Sequence, residues 1–240
     1  AMGNTVVIKA SELAPVTLLE FAKLIEKTGM PKGVVNIITG LGDPCGKALT
    51  QHHLVERIAF TGGPETARHI VKNSSYNLSQ VSLELGGKSP VAVFDDADQE
   101  NALNGITAGI FGASGQSCIA GSRLYIQSSI YEIFLNKLID KAKKIKLGPP
   151  MSDETQMGPL NSLKQLEVIE KNINDTVQQG GVIKCGGKRS SLSNKGYYFP
   201  ATIIECENHN LPTAENELFG PVLSVMKFEK EDELVNLSLI

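Results

Sequence analysis

The sequence predicts an α/β protein: a doubly wound, parallel-sheet fragment followed by a second α/β domain. Two observations carry that reading. Short β-branched runs alternate with amphipathic stretches over the first third of the chain, and alternation at that spacing implies parallel strands joined by crossover helices. Such crossovers are right-handed, which winds helices onto both faces of a sheet. From Lys88 onward the alternation continues with longer elements, so a boundary falls at Gly86-Gly87 and divides the chain into 1–86 and 87–240.

Thr5-Val6-Val7-Ile8 reads as a buried strand, and Leu13 to Lys27 as a helix with Leu18, Leu19, Ala22 and Ile25 apolar. Gly29-Met30-Pro31 stops that helix. Val34 to Ile38 is the next strand, closed by Gly40 and Gly42. The run Gly40-Leu41-Gly42-Asp43-Pro44-Cys45-Gly46 imitates a dinucleotide fingerprint at the wrong spacing (G-x-G-x-x-x-G), and reads as a turn into a short helix over Gly46 to His52. Arg57 to Phe60 is a strand. Gly62-Gly63-Pro64 turns the chain into another helix, with the proline suited to its first turn. Gln80 to Leu85 is the fourth strand. The second part holds strands at Val91 to Phe94, Arg123 to Gln127 and Val222 to Val225, with helices over Glu100 to Ala113 and Tyr131 to Lys146.

Both ends look cut, as in a fragment. Ala1-Met2 resembles a vector scar before a start codon, and the strand at Thr5 belongs inside a sheet although almost nothing precedes it. Glu231 to Ile240 reads as an uncapped amphipathic helix. Its Leu234, Leu237 and Ile240 would leave an apolar face exposed and favour self-association.

Composition excludes several classes. Of 240 residues 41% are hydrophobic and 20% charged, an ordinary globular balance. Net charge is −3, from 23 basic and 26 acidic residues without a basic cluster, which argues against nucleic-acid binding. No apolar run approaches a membrane span and no leader is visible, so the protein is expected in the cytoplasm. None of the four cysteines, Cys45, Cys118, Cys185 and Cys206, falls in a C-x-x-C pair or near a histidine at ligand spacing. Neither a metal site nor a disulfide framework is expected. His52-His53 and His209 read as solvated.

Three stretches could carry chemistry. Gly112-Ala113-Ser114-Gly115-Gln116-Ser117-Cys118 puts a thiol on a small-residue loop, where a thiolate is accessible and its backbone N–H can face an oxyanion. On spacing alone a nucleophile and a buried structural cysteine fit equally well. In Val81-Ser82-Leu83-Glu84-Leu85-Gly86-Gly87 a carboxylate lies between leucines at a strand end. Partial burial would raise its pKa and make Glu84 a general base; the alternative is an exposed face with Leu83 and Leu85 inward, which alternation by itself favours. Glu215-Asn216-Glu217-Leu218-Phe219-Gly220-Pro221 alone is a charged turn before a strand.

In this order the three resemble the aldehyde dehydrogenase superfamily, whose motifs are E-L-G-G-K-S/N, G-Q-x-C and E-x-F-G-P. They stand here as Glu84 to Pro90, Gly115 to Cys118 and Glu217 to Pro221. Gly3 to Glu12, Pro31 to Asn36 and Phe60 to Gly63 agree, so the likeness covers essentially the whole chain. It implies a cofactor domain followed by a catalytic domain carrying the thiol. It further implies that Cys118 attacks an aldehyde, that Glu84 activates the water hydrolysing the resulting thioester, and that NAD is the cofactor.

The same likeness assigns Glu217 to the nicotinamide ribose, Phe219 to the ring, and Leu85 and Gly86 to the cofactor's surroundings. Lys9 and Glu12 match the pair on the adenosine ribose, and a carboxylate at Glu12 would repel the 2′-phosphate of NADP. Gly62 and Gly63 fall in the pyrophosphate segment, where Gly63 replaces a usual serine; Ala67 and Ala10 replace a common glycine and proline. The family's oxyanion asparagine belongs to a segment upstream of this sequence. A homo-oligomer is implied for the full-length form. Rival readings are an acylating enzyme using coenzyme A, against which Glu84 speaks; a cysteine hydrolase, which lacks a neighbouring histidine; and an inactive fragment that still binds nucleotide.

Overall fold

The computed structural model describes residues 2–192 and 195–238. It forms two compact units, Ala1–Leu85 and Gly86–Ile240, and the α/β class expected from the sequence is what they show.

The first unit is two β-α-β turns. In one, β1 (Val6–Lys9), α1 (Val16–Lys27) and β2 (Val35–Ile38) pair the strands in parallel from Val6↔Val35 to Lys9↔Ile38. In the other, after the short α2 (Lys47–Gln51), β3 (Arg57–Gly62), α3 (Pro64–Ser74) and β4 (Gln80–Leu85) pair from Arg57↔Gln80 to Gly62↔Leu85. Among the described residues no ladder joins the two pairs. Helix α1 begins later than Leu13 because Ser11 first closes a turn, its carbonyl accepting from Ala14 N–H; Pro15 then fits a helix start. It ends where Gly29 takes φ +73°. Helix α3 starts on Pro64 and buries Ala67 and Ile70.

The second unit has a five-stranded sheet in the order β5-β6-β9-β8-β7. Its strands are β5 (Pro90–Val93), β6 (Arg123–Gln127), β7 (Val182–Cys185), β8 (Thr202–Glu205) and β9 (Val222–Phe228). All neighbours are parallel except β7 on β8. The helices are α4 (Gln99–Phe111), α5 (Tyr131–Lys143), α6 (Leu163–Gln178), α7 (Pro212–Glu215) and α8 (Glu231–Ser238). Strand alternation divides the core between two faces. Leu124, Ile126, Leu223 and Val225 join α4 and α5 in one cluster, while Tyr125, Val222, Met226 and Phe228 join α6 in the other.

Three expectations are corrected. Helix α6, the longest among the described residues, lies outside the elements expected from the sequence, although Ser162 caps it by accepting from Gln165 N–H at 3.2 Å and Leu166, Ile169 and Ile173 repeat at helical spacing. Helix α8 does not leave its apolar face free: Leu234 is buried and Leu237 packs against the same core, while Ile240 lies outside the described residues, as does Ala1. His209 is half-buried rather than solvated, with Nδ1 enclosed. Among the described residues no helix is long and apolar enough to cross a membrane, and no cluster of His, Cys, Asp or Glu could hold a metal.

Candidate active site

Helix α4 is capped at its start by Asp98, which accepts from the N–H groups of Glu100 and Asn101. It ends at Phe111 in a tight turn, Gly112–Gly115. There Ala113 (φ +49°), Ser114 (φ +56°) and Gly115 (φ +69°) lie in succession in the left-handed region. For a residue with a Cβ that conformation costs roughly 1–2 kcal/mol, so surrounding contacts must hold it. Ser114 Oγ donates to the Gly158 carbonyl at 2.9 Å, and Gln116 Oε1 accepts from Asn161 N–H at 3.0 Å. Ala120 N–H bonds back to Ser117 O at 3.1 Å, closing a turn that leaves Cys118 exposed at its tip.

The turn before β9 is strained in the same way. Phe219 takes φ +49° and is partly exposed, whereas Leu218 beside it is buried and its carbonyl accepts from the Gln165 amide of α6. Of the four non-glycine residues at positive φ among those described, Ala113, Ser114 and Phe219 belong to these two turns, the clustering expected where surrounding structure over-determines a site. The turns touch through backbone: a Cβ on Gly115 would collide with the Gly220–Pro221 peptide. A Cβ on Gly86 would collide with the Glu217 carboxylate. A small cleft is lined by Gly87, Lys88, Gly115, Ser117, Glu217 and Phe219. Cys118 is next in chain to this lining and not part of it.

In the first unit, Lys9 Nζ stands 3.3 Å from Glu12 Oε2 and donates to the Gly40 carbonyl at 2.7 Å. The glycine run after β2 therefore anchors Lys9, a role its misspaced pattern did not suggest. The Glu12 carboxyl is held below its ordinary pKa, first by a backbone N–H and then by Lys9. The register of β3 on β4 sets Glu84 beside Thr61 and Leu85 beside Gly62, and Gly63 opens α3. Glu84 is exposed, as are Leu83 and Leu85, so neither partial burial of the carboxylate nor inward leucines describes this strand end. Cover fades along β4, from half-buried Val81 and Ser82 to its open carboxyl end.

The other cysteines differ from Cys118. Cys185 and Cys206 are buried, and burial pushes both thiols above their ordinary pKa; Cys45 is half-buried. Brief iodoacetamide treatment followed by peptide mapping is expected to label Cys118 first. Earlier labelling of Cys45, Cys185 or Cys206 would contradict its placement.

The aldehyde dehydrogenase family profile matches residues 1–238. The chain belongs to the aldehyde dehydrogenase family. It is 52% identical over 236 residues to (Z)-2-((N-methylformamido)methylene)-5-hydroxybutyrolactone dehydrogenase of Acinetobacter baylyi, covering 98% of this chain and 48% of that protein. It is 40% identical to the betaine aldehyde dehydrogenase of Mesorhizobium japonicum, covering 98% and 49% of the two chains. Among solved structures, PnpE in complex with nicotinamide adenine dinucleotide superposes with a TM-score of 0.96 at 41% identity, covering 98% of this chain and 48% of PnpE. The chain thus spans about half the length of the relatives it matches. Sequence reading of this aldehyde dehydrogenase chain missed Lys88, Gln116 and Gln165, because their roles are contacts with residues distant in sequence.

Proposed function

We propose that the protein oxidises an aldehyde to a carboxylic acid with NAD, through a covalent adduct on Cys118. The observation that carries this reading is the meeting of three motifs in one unit. Gly86-Gly87-Lys88, the thiol loop and the Glu217–Pro221 turn converge, with Cys118 exposed beside them. The first unit then supplies part of the NAD-binding domain and the second the catalytic domain. The residues fit a dinucleotide on two counts. Lys9 and Glu12 form a donor–acceptor pair suited to a ribose diol, and Gly86 lacks the side chain that would displace the Glu217 carboxylate.

Cys118 thiolate adds to the aldehyde carbon, forming a C–S bond as the carbonyl electron pair moves to oxygen, and its backbone N–H donates to that oxyanion. NAD, when bound, would supply the acceptor for the hydride that leaves the adduct carbon as the oxyanion pair re-forms the carbonyl, giving a thioester on Cys118. Glu84 takes a proton from water, which attacks the thioester and releases the acid and the thiolate. Glu217 and Phe219, with Leu85 and Gly86, hold the nicotinamide end; Lys9 and Glu12 hold the adenosine ribose, and Gly62-Gly63 flank the pyrophosphate. A homo-oligomer and a cytoplasmic location belong to the same reading.

The test is NADH formation with a panel of aldehydes, on the chain as it stands and on a version extended at both ends by the corresponding segments of a relative. Formation by the extended version supports the reading, and none with any aldehyde overturns it. The chain alone is expected to show no useful oxidation. Glu12 being ionised at neutral pH, Glu12→Gln is expected to narrow the preference for NAD over NADP by roughly tenfold, about 1.4 kcal/mol, close to the solvent-screened limit for one charge repulsion at an exposed carboxylate. A wild type that already prefers NADP would refute the role of Glu12.

A further inference from the structure

Lys88 lines the same cleft as Ser117, Glu217 and Phe219. Its backbone is fixed, the carbonyl accepting from the buried Arg123 Nε at 2.8 Å. Its Nζ is fully enclosed, and among the described residues it has no hydrogen-bond partner. A buried ammonium without a partner is costly, and such a group in a native structure calls for a reason. The charged and titratable groups acting on it are Arg123 from β6, which repels it, Cys206 following β8, and Glu217 before β9, the one carboxylate among them. Glu217 in turn rests against Gly86, two residues before Lys88.

We propose that Lys88 is a positioning residue whose buried ammonium, without bonding to Glu217, steadies its carboxylate against Gly86 through the field across the cleft they both line, so that the seat for a nicotinamide ribose is complete only while Lys88 is protonated. The inference rests on the proposed role of Glu217 in cofactor binding. Burial, and after it the charge of Arg123, lower the Lys88 pKa to about 8, with Cys206 and then Glu217 opposing them. The charged form therefore predominates below that pH and is lost as pH rises through it. Cofactor affinity is expected to follow that loss, with Kd rising by up to about tenfold per pH unit above the pKa, the limit for one proton retained on binding.

Two measurements test this. In the chain as it stands, with 13C-labelled lysine, the pH titration of the Lys88 Cε resonance should move to lower pH in Glu217→Gln, which removes the attracting carboxylate. An unmoved titration overturns the coupling. In the extended version, NADH affinity by fluorescence should weaken as pH rises for the wild type. It should stay tight and flat in Lys88→Arg, which keeps its charge, and be weak and flat in both Lys88→Gln and Glu217→Gln. Lys88→Arg retains every other titrating group, so a wild-type slope no steeper than that of Lys88→Arg overturns the proposal. If Glu217→Gln binds as tightly as wild type, the underlying reading of Glu217 fails. If Glu217→Gln is weak while Lys88→Gln matches wild type, only the inference about Lys88 fails.

Discussion

Replacing Cys118 by alanine in the extended version is expected to lower aldehyde oxidation by about 10⁴-fold or more. Removing a covalent nucleophile forfeits the whole adduct pathway and not one stabilising contact. Cofactor affinity should stay near wild type, because Cys118 lies outside the lining of the cleft that contains Glu217 and Phe219. Glu84→Gln divides the reaction differently. The thiol is intact, so one equivalent of NADH per site should form in a burst, and steady-state turnover should then stall at the thioester. Rapid-mixing kinetics with mass spectrometry of the stalled protein would read both stages. Residual turnover in Cys118→Ala within tenfold of wild type would remove the thiol from the mechanism, and a Glu84→Gln protein without a burst would place Glu84 before the hydride step.

The parts of this architecture that were legible are those fixed by local chemistry. Strands β4 and β6 fall at Gln80–Leu85 and Arg123–Gln127 as expected, Pro64 opens α3, and the Asp98 cap starts α4 within one residue of the expected position. Helix α6 carries both signals of its own, a serine cap and a helical apolar repeat, and is legible on the same local grounds. What local pattern cannot supply is cover. Leu83, Glu84 and Leu85 alternate like a strand with one buried face, yet all are exposed. Whether Leu234 and Leu237 face water depends on the strands beneath them, here β6 and β9. The motifs identified Cys118 and Glu217 as candidates, but not that Gly115 lets the thiol loop meet the Gly220–Pro221 peptide, nor that Gly86 leaves room for the Glu217 carboxylate. Nor is the isolation of Lys88 Nζ readable from sequence, since it follows from what surrounds that atom in space.

Those glycines lead to the second large effect. Gly115→Ala is expected to destabilise the protein by about 3 kcal/mol, because two penalties add. The residue sits at φ +69°, where a Cβ is strained. The space that Cβ would take is occupied by the carbonyl of Gly220 and the nitrogen of Pro221, backbone that cannot rotate away. At roughly 2–4 °C per kcal/mol for a chain of this size, the melting midpoint should fall by about 10 °C. Gly105→Ala and Gly109→Ala serve as controls in α4: both glycines are exposed, nothing obstructs a Cβ at either, and each replacement should stabilise by about 0.5–1 kcal/mol. The contrast separates a general glycine effect from the contact between the thiol loop and the Glu217–Pro221 turn. If the turns are locked together, Gly115→Ala should also change the iodoacetamide reactivity of Cys118 at temperatures well below its melting point, since whatever relieves the collision must move the loop that presents the thiol. A variant that melts with wild type and labels at the wild-type rate would show that the two turns are not mechanically joined.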